Sequence, residues 1–306
     1  MNIVIYIMLN QKLQKGDAVA IVAPARKISE AELSCAVSVL EKAGLRVLCS
    51  PHLHGTCNQF SGTDAERIAD MQWAVDHPEA KAIWCARGGY GGMRIVDCVD
   101  FSALRRRPKW LCGYSDTTVF HAHLQRMGLE SLHCTMPVNV QPETADSLSV
   151  KTMLQALMQD RLTYVLDAHP MNRPGCTEAE ICGGNLSLLY ALQGSASDLQ
   201  TDGKILFIED LDEYLYHIDR MMLSLKRSGK LARLAGLLVG NLSDMHDNAT
   251  PFGKNAEEIV REHVAEYAYP VCFGFPAGHA DAAANHALIF GRKTLLSVDS
   301  EVHLIQ

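Results

Sequence analysis

The sequence predicts an α/β protein: an N-terminal doubly wound, mostly parallel sheet domain followed by a smaller, mixed α+β C-terminal domain. Two observations lead there. Short apolar runs alternate with amphipathic segments from Asp17 onward, which is the pattern of βαβ crossovers. Such crossovers require a parallel sheet covered by helices on both faces. The length, 306 residues, exceeds the size at which a single hydrophobic core usually stops growing, so two domains are expected. We place them at 1–150 and 176–306, with 151–175 as the connection.

Taken in order, Ala18 to Ala23 reads as the first strand, and Ser29 is a good N-cap for a helical pattern running to Lys42. Leu45 to Cys49 reads as a strand, Asp64 to Val75 as a helix and Lys81 to Ala86 as a strand. Trp110 to Gly113 is a short strand leading into a helix over Thr117 to Met127. Between Asn139 and Gly175 the periodicity weakens and the turn formers Pro142, Pro170, Pro174 and Gly175 gather, which marks the connection. Beyond it come a helical segment after Gly183-Gly184, a strand at Ile205 to Ile208, a helix over Tyr214 to Leu225 and an apolar run at Leu234 to Val239. Val271 to Phe273 reads as a further strand, and Leu288 to Leu304 alternates like short antiparallel strands turning near Arg292 and Asp299.

Composition narrows the class without naming an activity. Hydrophobic residues make up 48 % and charged residues 21 %, as in ordinary globular proteins. A net charge of −7 argues against nucleic acid as a partner, and the dense basic spot at Arg105 to Arg107 reads as a solvated loop. The ten cysteines form no C-x-x-C pair, and Cys85, Cys112, Cys182 and Cys272 fall in apolar runs, so reduced core thiols in a reducing compartment are expected. Met1 to Leu9 is apolar but has no basic residues before it and no cleavage site after it, so neither a signal peptide nor a membrane span is expected. An upstream extension or a true start at Met8 explains that stretch equally well.

In parallel sheets function collects where strands run out into helices. Gly113-Tyr114-Ser115-Asp116 lies at such a place, where a sharp turn can lift a serine above the sheet edge with helix N–H groups behind it. The same four residues are equally compatible with Ser115 or Asp116 acting only as an N-cap. Arg87-Gly88-Gly89-Tyr90-Gly91-Gly92 follows a strand and can aim successive N–H groups at one anion, or form a tight turn with no ligand. It has neither the P-loop ending nor the dinucleotide spacing, so no nucleotide cofactor is expected. Glu209 closes the run Ile205 to Ile208, where a solvated acidic turn with Asp210, Asp212 and Glu213 competes with a role at the sheet rim. His279 ends the loop Gly274-Phe275-Pro276-Ala277-Gly278. His121 and His123 sit on different faces of one helix, while His52 with His54 and Asp244 with His246 and Asp247 lack a separated third ligand, so no metal site is expected.

Along nearly the whole chain, several short segments follow one another in a specific order: Gly16-Asp17 before Val22-Ala23-Pro24, Phe60-Ser61-Gly62-Thr63, Arg87 to Gly91, and Gly113 to Asp116. Gly183-Gly184-Asn185-Leu186, Phe207 to Asp210 with Asp219-Arg220-Met221, and Gly278-His279 continue it. In this the chain resembles the LD-carboxypeptidase family, serine peptidases that include muramoyltetrapeptide carboxypeptidases and microcin C immunity peptidases. The resemblance implies a triad of Ser115 as nucleophile, His279 as base and Glu209 orienting the base, divided between the two domains. It implies an oxyanion hole from the backbone N–H groups of Asp116 and of Gly88 or Gly89. It further implies a cytoplasmic homodimer, with no metal or organic cofactor, that cleaves the amide to terminal D-alanine in murein tetrapeptides during cell-wall recycling. Arg87 and Tyr90 are the candidate substrate contacts, Arg87 for the free carboxylate, although a structural arginine in a glycine turn fits equally well. Where many members read His-Gly-Pro this chain has His133-Cys134-Thr135-Met136-Pro137, and it lacks length for the insertion associated with the microcin branch.

Two rival classes remain. A muropeptide-binding protein without turnover would keep the fold, but all three triad residue types are present. A glutaminase-like amidotransferase would want cysteine where Ser115 stands.

Overall fold

The computed structural model describes residues 12–159 and 161–306, and the apolar stretch Met1 to Leu9 lies outside them. β1 (Ala18–Val22) is buried along its whole length, as a central parallel strand must be. α1 (Glu30–Lys42) starts at a capping box, in which Ser29 accepts the Glu32 N–H and the Glu32 carboxylate accepts the Ser29 N–H. β2 (Arg46–Cys49) follows, then α2 (Asp64–Asp76), which begins at the same device built from Thr63 and Glu66. β3 (Ala80–Cys85), the short α3 (Ala103–Arg106), β4 (Trp110–Gly113), α4 (Thr118–Arg126) and β5 (Ser131–His133) complete the first half.

The second half begins with α5 (Leu148–Gln159), β6 (Thr163–Asp167), β7 (Gly175–Asn185) and α6 (Leu186–Ala191). β8 (Ile205–Leu211), α7 (Leu215–Arg227), β9 (Gly236–Ser243), α8 (Ala256–His263) and β10 (Val271–Cys272) come next. β11 (Leu288–Phe290), β12 (Lys293–Val298) and β13 (Glu301–Ile305) end the chain.

One sheet runs β11-β5-β4-β3-β1-β2 and the other β10-β9-β8-β7-β12-β13-β6. In the first, β1 to β5 are parallel and β11 pairs antiparallel to β5. The chain passes from β1 out to β2 and back across to β3, so a topological switch point lies between β1 and β3. In the second, β7 to β10 pair in parallel, while β7-β12-β13-β6 is antiparallel. The predicted class, a doubly wound parallel sheet with a mixed second sheet, is the one observed.

Two local differences, and one feature the sequence left open, have plain causes. The stretch 151–175 carries most of α5 and all of β6; its prolines, Pro170 and Pro174, fall after β6, and Val150, Met153, Ala156 and Leu157 form the buried stripe of α5. The helical segment expected after Gly183-Gly184 is α6, and the two glycines themselves lie inside β7, where the backbone takes φ of +143° and +138°. A Cβ on Gly183 would fall 1.9 Å from the Phe207 carbonyl oxygen, so only glycine lets β7 approach β8 there. Leu288 to Leu304 does not form one antiparallel unit, because β11 crosses to the first sheet while β12 and β13 stay in the second.

The halves share a core. One apolar cluster takes in Val22 and Ile83 from the first sheet, Val119 and Phe120 from α4, and Leu186, Leu206 and Ile208 from the second half. All ten cysteines are free thiols. Among the described residues, no helix is long and apolar enough to cross a membrane.

A buried fork ties the C-terminal strands to the first half. Arg292, between β11 and β12, donates Nε to Glu130 Oε1 and Nη2 to Glu130 Oε2, both at 2.8 Å, and the Glu130 side chain is fully buried. Arg292→Ala strips that carboxylate of its bidentate partner and is expected to cost about 3–5 kcal/mol of stability, read as a lowered urea midpoint. A loss below about 1 kcal/mol would place the fork with ordinary surface pairs.

Candidate active site

β4 ends at Gly113, Tyr114 is extended (φ −146°, ψ −168°), and Ser115 takes φ +59° before a 3-10 turn over Ser115–Thr117 runs into α4. Positive φ at a residue with a side chain stores strain of about 1–3 kcal/mol and persists only where the surroundings impose it. Here Gly113 is part of the imposition: a Cβ on it would lie 2.7 Å from Thr117 Oγ1. Neither Ser115 nor Asp116 caps the helix with its side chain. The Asp116 carboxylate instead accepts the Gly92 N–H at 2.6 Å, and Ser115 is left partly exposed at the cleft.

The glycine loop after β3 lies against this turn. A Cβ on Gly88 would sit 3.0 Å from Ser115 Cβ and 3.1 Å from its Oγ, and Gly89 has φ +102°. Gly88, Gly89 and Asp116 all line the cleft. Among the described residues, no backbone carbonyl accepts the Gly88 or Gly89 N–H, and the first N–H groups of a helix such as that of Asp116 have no acceptor within it. Arg87 lines the cleft but is engaged, with Nη1 3.0 Å from Glu32 Oε1. Tyr90 stands apart from the lining, 44 % exposed, its ring 6.0 Å from that of Phe60.

Glu209 lies within β8, two residues before its end, with a fully buried side chain. Its Oε2 is 2.6 Å from His279 Nδ1, which leaves Nε2 for the cleft. Burial pulls the imidazole pKa down, but the Glu209 charge, its hydrogen bond and the Asp210 charge together hold it above the usual histidine value. The Tyr114 ring packs 4.7 Å from the imidazole. The Gly278 N–H donates to Asn285 Oδ1 at 3.0 Å, which steadies the loop just before His279. Ser115 and His279 line one cleft of about 470 Å³, with no hydrogen bond between them. Such bonds often close only when substrate binds.

The cleft is walled by the carboxyl ends of parallel strands from both sheets. From the first come Arg26 after β1, the glycine loop after β3 and Met136 in the segment that departs from His-Gly-Pro. From the second come Asn185 and Asp210. The sequence reading missed Arg26, Asn185 and Asp210 as site residues. The signal was available for two of them, since Asn185 follows Gly183-Gly184 and Asp210 follows Glu209. Asp210 accepts from Asn185 Nδ2, Leu211 N–H and Ser187 N–H, yet burial and then the Glu209 charge raise its pKa to about 7. Four of the other histidines are committed elsewhere: His121 to Ser131 and the Gly113 carbonyl, His123 to Ser197, His52 to Asp70 and His246 to Asp212.

Residues 19–134 match the family model for the LD-carboxypeptidase N-terminal domain, and residues 178–296 match that for the LD-carboxypeptidase C-terminal domain. A "Probable murein peptide carboxypeptidase" of Bacillus subtilis is 34 % identical over 302 residues, covering 96 % of this chain and 93 % of that one. The murein tetrapeptide carboxypeptidase of Pseudomonas aeruginosa is 28 % identical over 291 residues, covering 91 % and 92 %. The crystal structure of muramoyltetrapeptide carboxypeptidase from Oxalobacter formigenes superposes with a TM-score of 0.84 at 25 % identity, over 94 % of this chain and 98 % of that one. A microcin C7 self-immunity protein reaches 0.85 at 20 % identity over 98 % of both chains, a likeness of fold. A strand-end serine and a buried Glu–His pair facing one cleft, on a chain that matches both domain models and these relatives along nearly its whole length, belong to a member of the LD-carboxypeptidase family.

Proposed function

We propose that this protein is a serine carboxypeptidase that hydrolyses the amide to the terminal D-alanine of murein tetrapeptides. The observation that carries this reading is the buried Glu209–His279 pair opening onto the same cleft as a serine held at positive φ. Ser115 attacks the scissile carbonyl while His279 Nε2 removes its proton, and the imidazolium then protonates the leaving amine. Glu209 holds the Nδ1–H tautomer and stabilises the imidazolium between those two steps. The N–H of Asp116 and that of Gly88 or Gly89 receive the oxyanion, which fits the closeness of Gly88 to Ser115 and the lack, among the described residues, of a backbone acceptor for the Gly88 and Gly89 N–H groups.

The substrate's free carboxylate needs a cation. Arg87 lines the cleft but already shares its charge with Glu32. Arg26 is exposed, lines the same wall beside Gly89, and has no ion-pair partner among the described residues, which supports Arg26 as a carboxylate contact alongside Arg87. The murein names belong to relatives aligned over nine-tenths of the chain, whereas the immunity protein shares the fold, so murein peptide is the favoured substrate. The family likeness also supports a cytoplasmic homodimer acting in cell-wall recycling.

Purified protein is expected to release D-alanine from a murein tetrapeptide with EDTA present throughout, and Ser115→Ala to lower the rate about 10³-fold or more. Release by the variant at about a tenth of the parent rate would exclude Ser115 as nucleophile.

The pair also sets a pH dependence. The base must be neutral to accept the serine proton, and Glu209 holds its pKa above the usual histidine value, so kcat/KM is expected to rise with pH through an ionisation displaced upward from that of a free histidine. Glu209→Gln removes the larger raising charge and leaves the lowering effect of burial, so His279 should titrate at lower pH in the variant than in the parent, read by NMR. An unchanged titration would mean that Glu209 does not govern the imidazole.

A further inference from the structure

The reaction above uses the backbone of Asp116 and leaves its side chain without a task, although that side chain is a carboxylate only 2 % exposed. Its Oδ2 accepts the Gly92 N–H at 2.6 Å, while Oδ1 has no hydrogen-bond partner among the described residues. On the other side of the same peptide unit stands Arg67, 1 % exposed and projecting from α2. Its Nη1 donates to the Gly91 carbonyl at 3.0 Å and to the Pro24 carbonyl at 2.5 Å, and Nη2 donates to Asp64. The guanidinium lies 4.8 Å from the Phe60 ring centroid, so its plane is held by packing as well.

The peptide joining Gly91 to Gly92 is therefore gripped at both ends, its carbonyl by Arg67 and its N–H by Asp116. A side chain at either position would disturb the grip: a Cβ on Gly91 would lie 2.6 Å from Arg67 Nη1 and 2.8 Å from the Ala25 Cα, and one on Gly92 2.8 Å from Asp116 Oδ2. Upstream, the loop is anchored where the Ala86 N–H meets the Val22 carbonyl and the Gly88 carbonyl meets the Arg26 N–H. Gly88 and Gly89 thus lie in a short span between fixed ends, and the Gly91–Gly92 peptide decides how that span is aimed.

We propose that the Asp116 carboxylate and the Arg67 guanidinium are positioning residues that aim the Gly88 and Gly89 amides into the oxyanion hole. Asp116 then joins the two donors of the hole: its own N–H is one, and its side chain sets the direction of the other. A donor misdirected by a fraction of an ångström loses its advantage in the transition state while the ground state hardly feels it. The inference rests on the serine-peptidase reading given above.

The test is steady-state hydrolysis of a murein tetrapeptide by the full chain and by Asp116→Ala, Asp116→Asn and Arg67→Lys. A peptide boronate that forms a tetrahedral adduct with serine is titrated in parallel. Asp116→Ala is expected to lower kcat about 10²-fold or more, to leave KM within about threefold, and to weaken the boronate in proportion to kcat. Asp116→Asn keeps the volume and one acceptor for the Gly92 N–H, so it should recover much of the loss. Arg67→Lys gives up the planar fork and should lower kcat about tenfold, again with KM held.

Thermal unfolding shows which variants are folded, and Asp116→Asn and Arg67→Lys carry the test if the alanine variant is not. Folded variants with parental kcat and parental boronate affinity would overturn the inference, as would losses confined to KM. If instead the parent is inactive or Ser115→Ala retains turnover, the serine-peptidase reading itself has failed, and the two failures are told apart by the Ser115 control.

Discussion

The contact on which the cleft depends is a carboxylate with no exposed surface bonded at 2.6 Å to an imidazole. A lone charge at the Glu209 position, deep in β8 between β7 and β9, would be strongly destabilising unless paired and hydrogen-bonded. Several neighbours follow from that requirement. Gly278 has φ +124°, and a Cβ there would lie 2.9 Å from Glu209 Oε2. Asn285 holds the Gly278 N–H and is itself held by Ser149 Oγ accepting its backbone N–H at 2.7 Å. A hydrogen-bonded path thus runs from α5 to the loop that presents the imidazole.

The second constraint is the crowding at the rim, where loops from two sheets meet. Ser115 can sit at positive φ because Gly113 behind it, Gly88 beside it and the Asp116 side chain after it leave little other conformation. Glycine at these places is a demand of close backbone approach, since each missing Cβ would strike a named atom. Charge follows the same division: Arg26 and Arg87 come from the first sheet, while Asp210, Asp212 and Glu213 come from the second. The Glu130–Arg292 fork and the shared apolar cluster hold the halves together, and the cleft keeps its shape through them.

Much of the architecture was legible one segment at a time. The five buried residues of β1, the capping boxes at Ser29 and Thr63, and the strand-to-helix turn at Gly113 to Asp116 are local events, set by side chains within a few residues. Their order along the chain also carried the family, because a series of short motifs at the right spacing is far more specific than any one of them. Less legible were α5, hidden among turn formers, and β7, whose paired glycines imitate a break while serving close contact with β8.

The sequence by itself determined the elements, the fold class and the chemical types placed at strand ends. Only the tertiary structure decided which of those ends face one another. Glu209 and His279 are 70 residues apart, Arg26 meets Gly89 across the switch point, and β11 leaves its sequence neighbours to pair with β5. Periodicity records which face of a segment is buried, but it does not record the partner. The partner is chosen by the packing of the whole chain and by the need to neutralise each buried charge.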